Sequence, residues 1–442
     1  MKKILGRPIL FYLRILAKIQ LKKINPTIIG IGGASGKTSL SYVLYQIMST
    51  KYKVKQSKGK NSESGIPLNI LGIEPQNYNF SDWLRVVINA PIKLITNWEK
   101  YDYYIAEMGI DSPYPPKNME YLLKIVKPKI GVLTNIFIEH SLYFDSLVKG
   151  ENPDERKAEI LEETAKQESL LLTSIDENGR SIVNLDDRFI SNLLPLRSKT
   201  ITVSEKNKSA DFYIVSSKTL GNHFLVKFIF LKDEYLVKVP RPLPGYYSIT
   251  IIMALAIAFS CGLSIKESLE ALSNNFSLPA GRFEVFKGIK NSTILDSSYN
   301  SSLEAAIGAL RALKEAAGGR RKVAILGDMR ELGSLSQLEH EALAREILKT
   351  CDFAILIGHA IQRFAAPILE EAKFDFLAFE TFSKAKESIP TSIRRADAVL
   401  VKGSQNTLYL ERAVEMLLAD KNDRDKLCRR GSFWDKKRKE TP

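Results

Sequence analysis

The run Gly30-Ile31-Gly32-Gly33-Ala34-Ser35-Gly36-Lys37-Thr38-Ser39 gathers the groups that handle phosphate. Glycines let backbone N–H groups converge on phosphate oxygens, and a helix beginning at the lysine adds its positive N-terminal end. Lys37 is then placed to reach the β- and γ-phosphates, and the Thr38 hydroxyl to ligate Mg2+. The expected nucleotide-binding set is Gly33, Ala34, Ser35, Gly36, Lys37, Thr38 and Ser39. The usual G-x-x-x-x-G-K-[ST] spacing is not met, because Ile31 stands where its first glycine would be. The loop is a shortened G-x-x-G-K-[ST].

These groups need a frame that brings strand ends together. From Pro26 onward, β-rich runs (27–32, 103–108, 130–135) alternate with helical patterns such as 37–48. Such alternation predicts an α/β fold with a mostly parallel sheet and ligands at the strands' carboxyl ends. Residues 200–240 alternate differently and predict a small antiparallel sheet. An apolar helix over 247–261 and an amphipathic one over 265–274 follow, then a linker at 276–281. A second alternation then predicts a Rossmann-like unit. Its strands are 293–297, 322–326, 353–357 and 398–402; its helices are 303–314, 338–349, 361–371 and 407–418. The domains expected are a basic helix (1–25), an ATP-binding domain (26–278), a Rossmann-like domain (279–420) and a basic tail (421–442).

The 442 residues carry a formal charge of +14. Residues 1–25 hold +7 with no acid, and residues 421–442 hold +5, so the body between them holds only +2. That distribution argues against nucleic acid, which calls for a broad basic field. The first segment is too short and too charged to span a bilayer. Leu10, Leu13, Ala17 and Leu21 share one helical face while Arg14, Lys18 and Lys22 share another. This segment is either a helix packed on the body or one resting peripherally on anionic membrane. Cys261, Cys351 and Cys428 form neither a disulfide framework nor a zinc pattern, as expected in a reducing cytoplasm.

The shortened loop resembles that of the ATP-dependent Mur ligases and their relatives, which include folylpolyglutamate synthases. Further segments resemble that family in order: Asn61–Leu68, Glu107-Met108-Gly109, Thr134-Asn135-Ile136 with Glu139-His140, Lys157–Ile160, Gly281–Glu284, Asp296 with Tyr299-Asn300, Leu326–Gly333 and Lys402-Gly403-Ser404. The resemblance implies an ATP-dependent amide ligase working through an acyl phosphate, with two Mg2+ ions. Thr38 and Glu107 would serve one metal; His140 and Lys157, the latter open to carbamylation, would serve the other. An ordinary surface lysine is the competing reading of Lys157. Arg282 would reach the γ-phosphate, Asp296 the ribose, and Lys402 the incoming amine or transferred phosphate. Asn300, Asp328 and Glu331 would line the second substrate's cleft. The Asn61–Leu68 and Leu326–Gly333 segments favour the branch that adds D-Ala-D-Ala to a UDP-muramoyl tripeptide. A ligase for another carboxylate (poly-amino-acid or folate-like) and a non-catalytic nucleotide-binding subunit are the alternatives.

Three departures stand out. The family's Gly-x-His-Asn-x-x-Asn helix start, which helps hold adenine, reads Gly245-Tyr246-Tyr247-Ser248-Ile249-Thr250-Ile251. The Asn-Ala-Asn-Pro run after the tyrosine reads Asn300-Ser301-Ser302-Leu303. The loop opens at Gly30, leaving only a helix-sized segment where the family's UDP-binding domain is expected.

Overall fold

The computed structural model describes residues 2–76, 79–139, 141–220, 222–403 and 407–441, with side chains from Gly6 onward. Two expected site positions, His140 and Ser404, lie outside the described residues.

The first half is built on strands β1 (Thr27–Gly32), β2 (Val54–Gln56), β3 (Tyr103–Glu107), β4 (Ile130–Leu133), β5 (Arg180–Asn184) and β6 (Lys199–Ser204). Strands β7 (Phe212–Leu220), β8 (His223–Phe230) and β9 (Asp233–Val239) follow. Among the described residues all nine join one sheet in the order β2-β3-β1-β4-β5-β6-β7-β8-β9. The antiparallel pairing expected over residues 200–240 is present and continues the parallel sheet: β7 pairs parallel with β6, and β8 and β9 fold back antiparallel. Short polar turns permit that hairpin return, whereas parallel neighbours need a crossover.

β1 lies between β3 and β4, with Ile31 opposite Glu107 and Gly32 opposite Leu133. The chain leaves β1 toward one edge and returns on the other side through β4, so a crevice opens at the carboxyl ends of these three strands. Ligands gather at such a switch point. β1 is a β-branched run buried from Ile28 onward, which fixes its central place.

The second sheet holds β10 (Glu284–Lys287), β11 (Thr293–Ser297), β12 (Lys322–Gly327), β13 (Phe353–Ile357), β14 (Phe376–Phe379) and β15 (Ala398–Lys402). Their order is β10-β11-β15-β12-β13-β14, parallel except for β10. Ser297 is opposite Lys402, so both stand at the end of the sheet that faces the first half. The helix expected over 361–371 is two, His359–Phe364 and Ala366–Glu371. Pro367 sits in the first turn of the second, where its missing N–H is harmless.

Four helices surround the first sheet's leading edge: α1 (Lys2–Ile24), α2 (Lys37–Met48), α3 (Gly65–Leu71) and α4 (Phe80–Thr96). α1 packs on the body, as one of its two readings expected. Leu13, Leu16, Leu68, Leu71, Val86 and Ala90 form a buried cluster under α1, α3 and α4. No helix among the described residues is long and apolar enough to cross a membrane.

The C-terminal segment is only partly a solvated tail. A 3-10 turn (Lys421–Lys426) and a helix (Ser432–Glu440) return it to the second half. Arg429 and Arg438 are buried around Glu411, which is fully enclosed; the Arg429–Glu411 contact is 2.7 Å and the Arg438–Glu411 contact 3.6 Å. Arg429 also donates to the carbonyl of Tyr299. Removing one partner of a buried ion pair strands the other charge, at a cost of about 3–5 kcal/mol. Arg429→Ala is therefore expected to lower unfolding free energy by about that much in urea titration of the full chain. The double change Arg429→Met with Glu411→Leu should recover only part of the loss, because Arg438 also loses Glu411 and keeps its ion pair with Asp435 alone.

Candidate active site

The phosphate-type loop is held in shape before any ligand is considered. Gly33 and Gly36 adopt φ 109° and 89°. A Cβ on Gly33 would also come within 2.4 Å of Thr134 Oγ1, so glycine is required there twice over. Asn135, just past β4, accepts from the Ser35 N–H at 2.9 Å through its side chain and from the Ala34 N–H at 2.9 Å through its carbonyl. Thr134 Oγ1 donates to Ser35 O at 2.7 Å. The Thr134-Asn135 pair thus braces the loop. Glu168, on the Pro153–Thr173 helix, accepts from the Gly33 N–H at 2.9 Å from beneath. Sequence reading missed Glu168; the only signal is an acid beside the apolar run Leu170–Leu172.

α2 begins at Lys37 with no side-chain cap, leaving first-turn N–H groups toward the cleft. Lys37 Nζ donates to the carbonyls of Gly33 and Ala34, the latter at 2.6 Å, and lies 4.0 Å from Glu139. Thr38 Oγ1 donates to Glu107 Oε1 at 2.7 Å, and Arg282 Nη2 donates to Thr38 Oγ1 at 3.2 Å. Glu107 is 2% exposed, yet its Oε2 has no hydrogen-bond partner among the described residues. A buried carboxylate oxygen without a donor is costly. A hydroxyl and a half-satisfied carboxylate are hard oxygen donors that suit Mg2+.

The second half closes this crevice. Arg282 spans from β10's approach to Thr38, and its guanidinium lies 4.8 Å from the Tyr299 ring centroid. Lys402, at the end of β15, donates to Asn300 O at 2.6 Å. Burial pulls its ammonium down to about 7, with Arg282 pushing the same way. The resulting cleft, about 280 Å3, is lined from the first half by Ser35–Ser39, Tyr42, Asn61, Glu107 and Glu139. From the second half it is lined by Gly281, Arg282, Tyr299, Asn300 and Lys402.

Other expected residues lie elsewhere. Asp296 is fully buried behind the cleft, accepting from Ser298 N–H at 3.0 Å, and burial raises it to about 6. Lys157 does not line the cleft. It pairs at 2.7 Å with Glu339, whose side chain is 1% exposed, and so ties the two halves together. Nearby Glu304 is raised to about 7, first by burial and then by Glu339. Asp328 Oδ1 accepts from the Ile361 N–H at 2.8 Å, and the Glu331 carbonyl accepts from Leu142 N–H at 2.9 Å. Asp328 braces the second half and Glu331 ties it to the first, and neither lines the cleft. His340 bonds Ser336 O and accepts from Met329 N–H, a packing role.

The altered helix start takes on meaning here. Tyr246 and Tyr247 both line the cleft, their rings stacked at 5.0 Å and 27°. Tyr247 Oη is 3.3 Å from Ser39 Oγ. A Cβ on Gly308 would fall 2.5 Å from the Tyr246 ring, so the glycine makes room for it. Ser248 and Ile251 are buried away from the cleft, Ser248 bonded to Glu205.

The model of the Mur ligase middle domain matches residues 31–259, and that of the Mur ligase glutamate ligase domain matches residues 281–405. This chain belongs to the Mur ligase family. Members of the family are ATP-dependent amide ligases. Among curated relatives, the UDP-N-acetylmuramoyl-tripeptide--D-alanyl-D-alanine ligase of Bacillus subtilis is 24% identical over 409 residues, covering 91% of this chain and 78% of that protein. The enzyme of the same name from Buchnera aphidicola is 29% identical over 331 residues; the match covers 73% of this chain and 61% of its own length. A solved MurF ligase from Thermotoga maritima, in complex with ADP, matches with a TM-score of 0.73 at 20% identity, covering 98% of this chain and 85% of that one. The Mur ligase fold thus accounts for both sheets.

Lys402 gives a pH-dependent prediction. Its folded-state value lies below the ordinary lysine value of 10.5, so above about pH 7 the ligand-free ammonium has lost its proton. A phosphate bound beside it favours the charged form. Nucleotide binding at pH 8 should therefore take up about one proton. Calorimetry in buffers of differing ionisation enthalpy reads this uptake, and Lys402→Met should abolish it.

Proposed function

We propose that this chain is the ligase that joins D-Ala-D-Ala to a UDP-muramoyl tripeptide. The observation that carries the reading is the junction at Thr38, which bonds Glu107 within the first half (2.7 Å) and meets Arg282 from the second (3.2 Å). The tyrosine pair offers a flat apolar face to a nucleotide base. The segments of residues 61–68 and 326–333 favour this acceptor over a folate-like or poly-amino-acid one.

The chemistry follows in two displacements. The tripeptide's terminal carboxylate attacks the γ-phosphorus of ATP; the bond to the β-phosphate oxygen breaks, giving an acyl phosphate and ADP. The D-Ala-D-Ala amine then attacks the acyl carbon, phosphate leaves, and the amine's proton is lost. Lys37 and Arg282 neutralise charge that builds on the transferred phosphoryl group, where positioning and electrostatics supply most of the catalysis. Lys402, which takes up a proton when a phosphate lies beside it, would add its charge to that neutralisation. Mg2+ held by Thr38 and Glu107 would supply further charge neutralisation between the phosphates. A second ion on His140 and carbamylated Lys157 is the finer part of the proposal, and it requires Lys157 to leave Glu339.

ADP release should require ATP, Mg2+, UDP-muramoyl tripeptide and D-Ala-D-Ala together. Lys37→Ala should reduce the rate by about a hundredfold or more. Turnover on a different carboxylate with none on this pair would overturn the acceptor assignment. Full ATP consumption by Lys37→Ala would overturn the role of the loop.

A further inference from the structure

The first helix does not face solvent alone. Tyr12 Oη donates to Val87 O at 3.2 Å, and Gln20 Nε2 and Lys23 Nζ donate to Asn97 O, both at 2.9 Å. α1 and α4 therefore run side by side in the same direction. Each carries an exposed apolar stripe. On α1 it is Phe11, Ile15 and Ile19, exposed by 54%, 40% and 46%. On α4 it is Phe80, Leu84, Ile88, Ile92 and Ile95, all more than half exposed.

Successive helical residues turn by about 100°, which fixes where these stripes point. On α1, rotating away from the α4-facing Tyr12 and Lys23 leads to Ile19, Ile15, Lys22 and Phe11, and then to Lys18 and Arg7. On α4, rotating the opposite way from the α1-facing Val87 and Leu94 leads to Phe80, Leu84, Ile95, Ile88 and Ile92. Opposite rotations from a shared contact bring both stripes out on one side of the pair. The result is one continuous apolar face with a basic flank along its α1 edge.

The acids near this face are already engaged. Asp82 is buried and paired with Arg85 at 2.8 Å, and Glu99 pairs with Lys55. Residues 1–25 contain no acid at all. Trp98, 69% exposed, closes the α4 end with its ring 3.6 Å from Lys23 Nζ, an amphipathic arrangement suited to the headgroup level of a bilayer. Monomeric soluble proteins rarely leave so large an apolar patch open. Cationic side chains bordering an apolar helix face complement anionic lipid specifically: the apolar stripe enters the acyl boundary and the lysines reach phosphate.

We infer that α1 and α4 together form a monotopic docking face for an anionic lipid bilayer, with α4 supplying most of the apolar contact and α1 the charge. The inference rests on this surface alone and is independent of the acceptor proposed for the ligase site.

The test is flotation of the full chain with phosphatidylcholine vesicles, with and without phosphatidylglycerol. The chain should float with the phosphatidylglycerol vesicles. Ile88→Glu with Ile92→Glu should reduce the bound fraction about tenfold or more, while circular dichroism and nucleotide binding stay unchanged. Lys18→Glu with Lys22→Glu should remove the preference for anionic vesicles, as should high salt. Undiminished binding by the Ile88/Ile92 variant would overturn the inference, as would failure of the wild-type chain to float. It would also be overturned if the wild-type chain did not float but sedimented as a dimer that the Ile88/Ile92 change dissociates, which would make the face a contact between copies.

Discussion

A half-satisfied carboxylate sets the terms for the active site. Glu107 is buried at the end of β3, with one oxygen on the Thr38 hydroxyl and the other without a donor. Leaving that oxygen bare is costly in a low-dielectric crevice, and a cation removes the cost. Everything around it maintains the arrangement. The β1–β3 register sets Glu107 beside the loop, Asn135 and Glu168 grip the loop's backbone, and α2 starts at Lys37 with its first-turn amides open.

The second half contributes charge rather than the loop itself. Arg282 completes the contact at Thr38, and Lys402 is held so far from water that its proton is only loosely retained. Two cations this close repel, and an anionic phosphate between them relieves the repulsion. The cleft is therefore selective for anions without a broad basic field. The two halves are held in register by contacts away from the cleft, notably Lys157 with Glu339 and the Asp145–Arg156 pair beside Ser334.

What the sequence discloses follows the range of each interaction. Glu107 is legible through the family resemblance, and Lys37 and Thr38 are legible because a loop and a helix start are local patterns. The strands of both sheets are legible for the same reason, as β-branched runs between polar turns. Arg282 and Lys402 come into view only through family resemblance, since nothing local says that two distant segments meet. Glu168 was missed as a site residue, and the altered helix start at Tyr246-Tyr247 carries no sign in the sequence that its rings stack at the cleft. Their roles depend on which helix packs under the loop and on Gly308 leaving room for a ring. The C-terminal arginines read as a solvated charge run because their partner, Glu411, lies in an apolar helix earlier in the chain. The α4 stripe escaped for a different reason: an apolar face predicts burial, and here it is not buried.

The arginine that returns from the tail has a consequence for when the site becomes whole. Arg429 supports the carbonyl of Tyr299, the residue whose ring lies beside Arg282. During synthesis the loop, Glu107 and even Lys402 leave the ribosome before that support does. A nascent chain can therefore fold its first sheet and begin its second while the wall behind Arg282 is still unbraced. Catalytic geometry here is completed by a segment made after both sheets, so chains that stop short of Arg429 emerge with their phosphate loop intact and the opposite wall of the cleft slack.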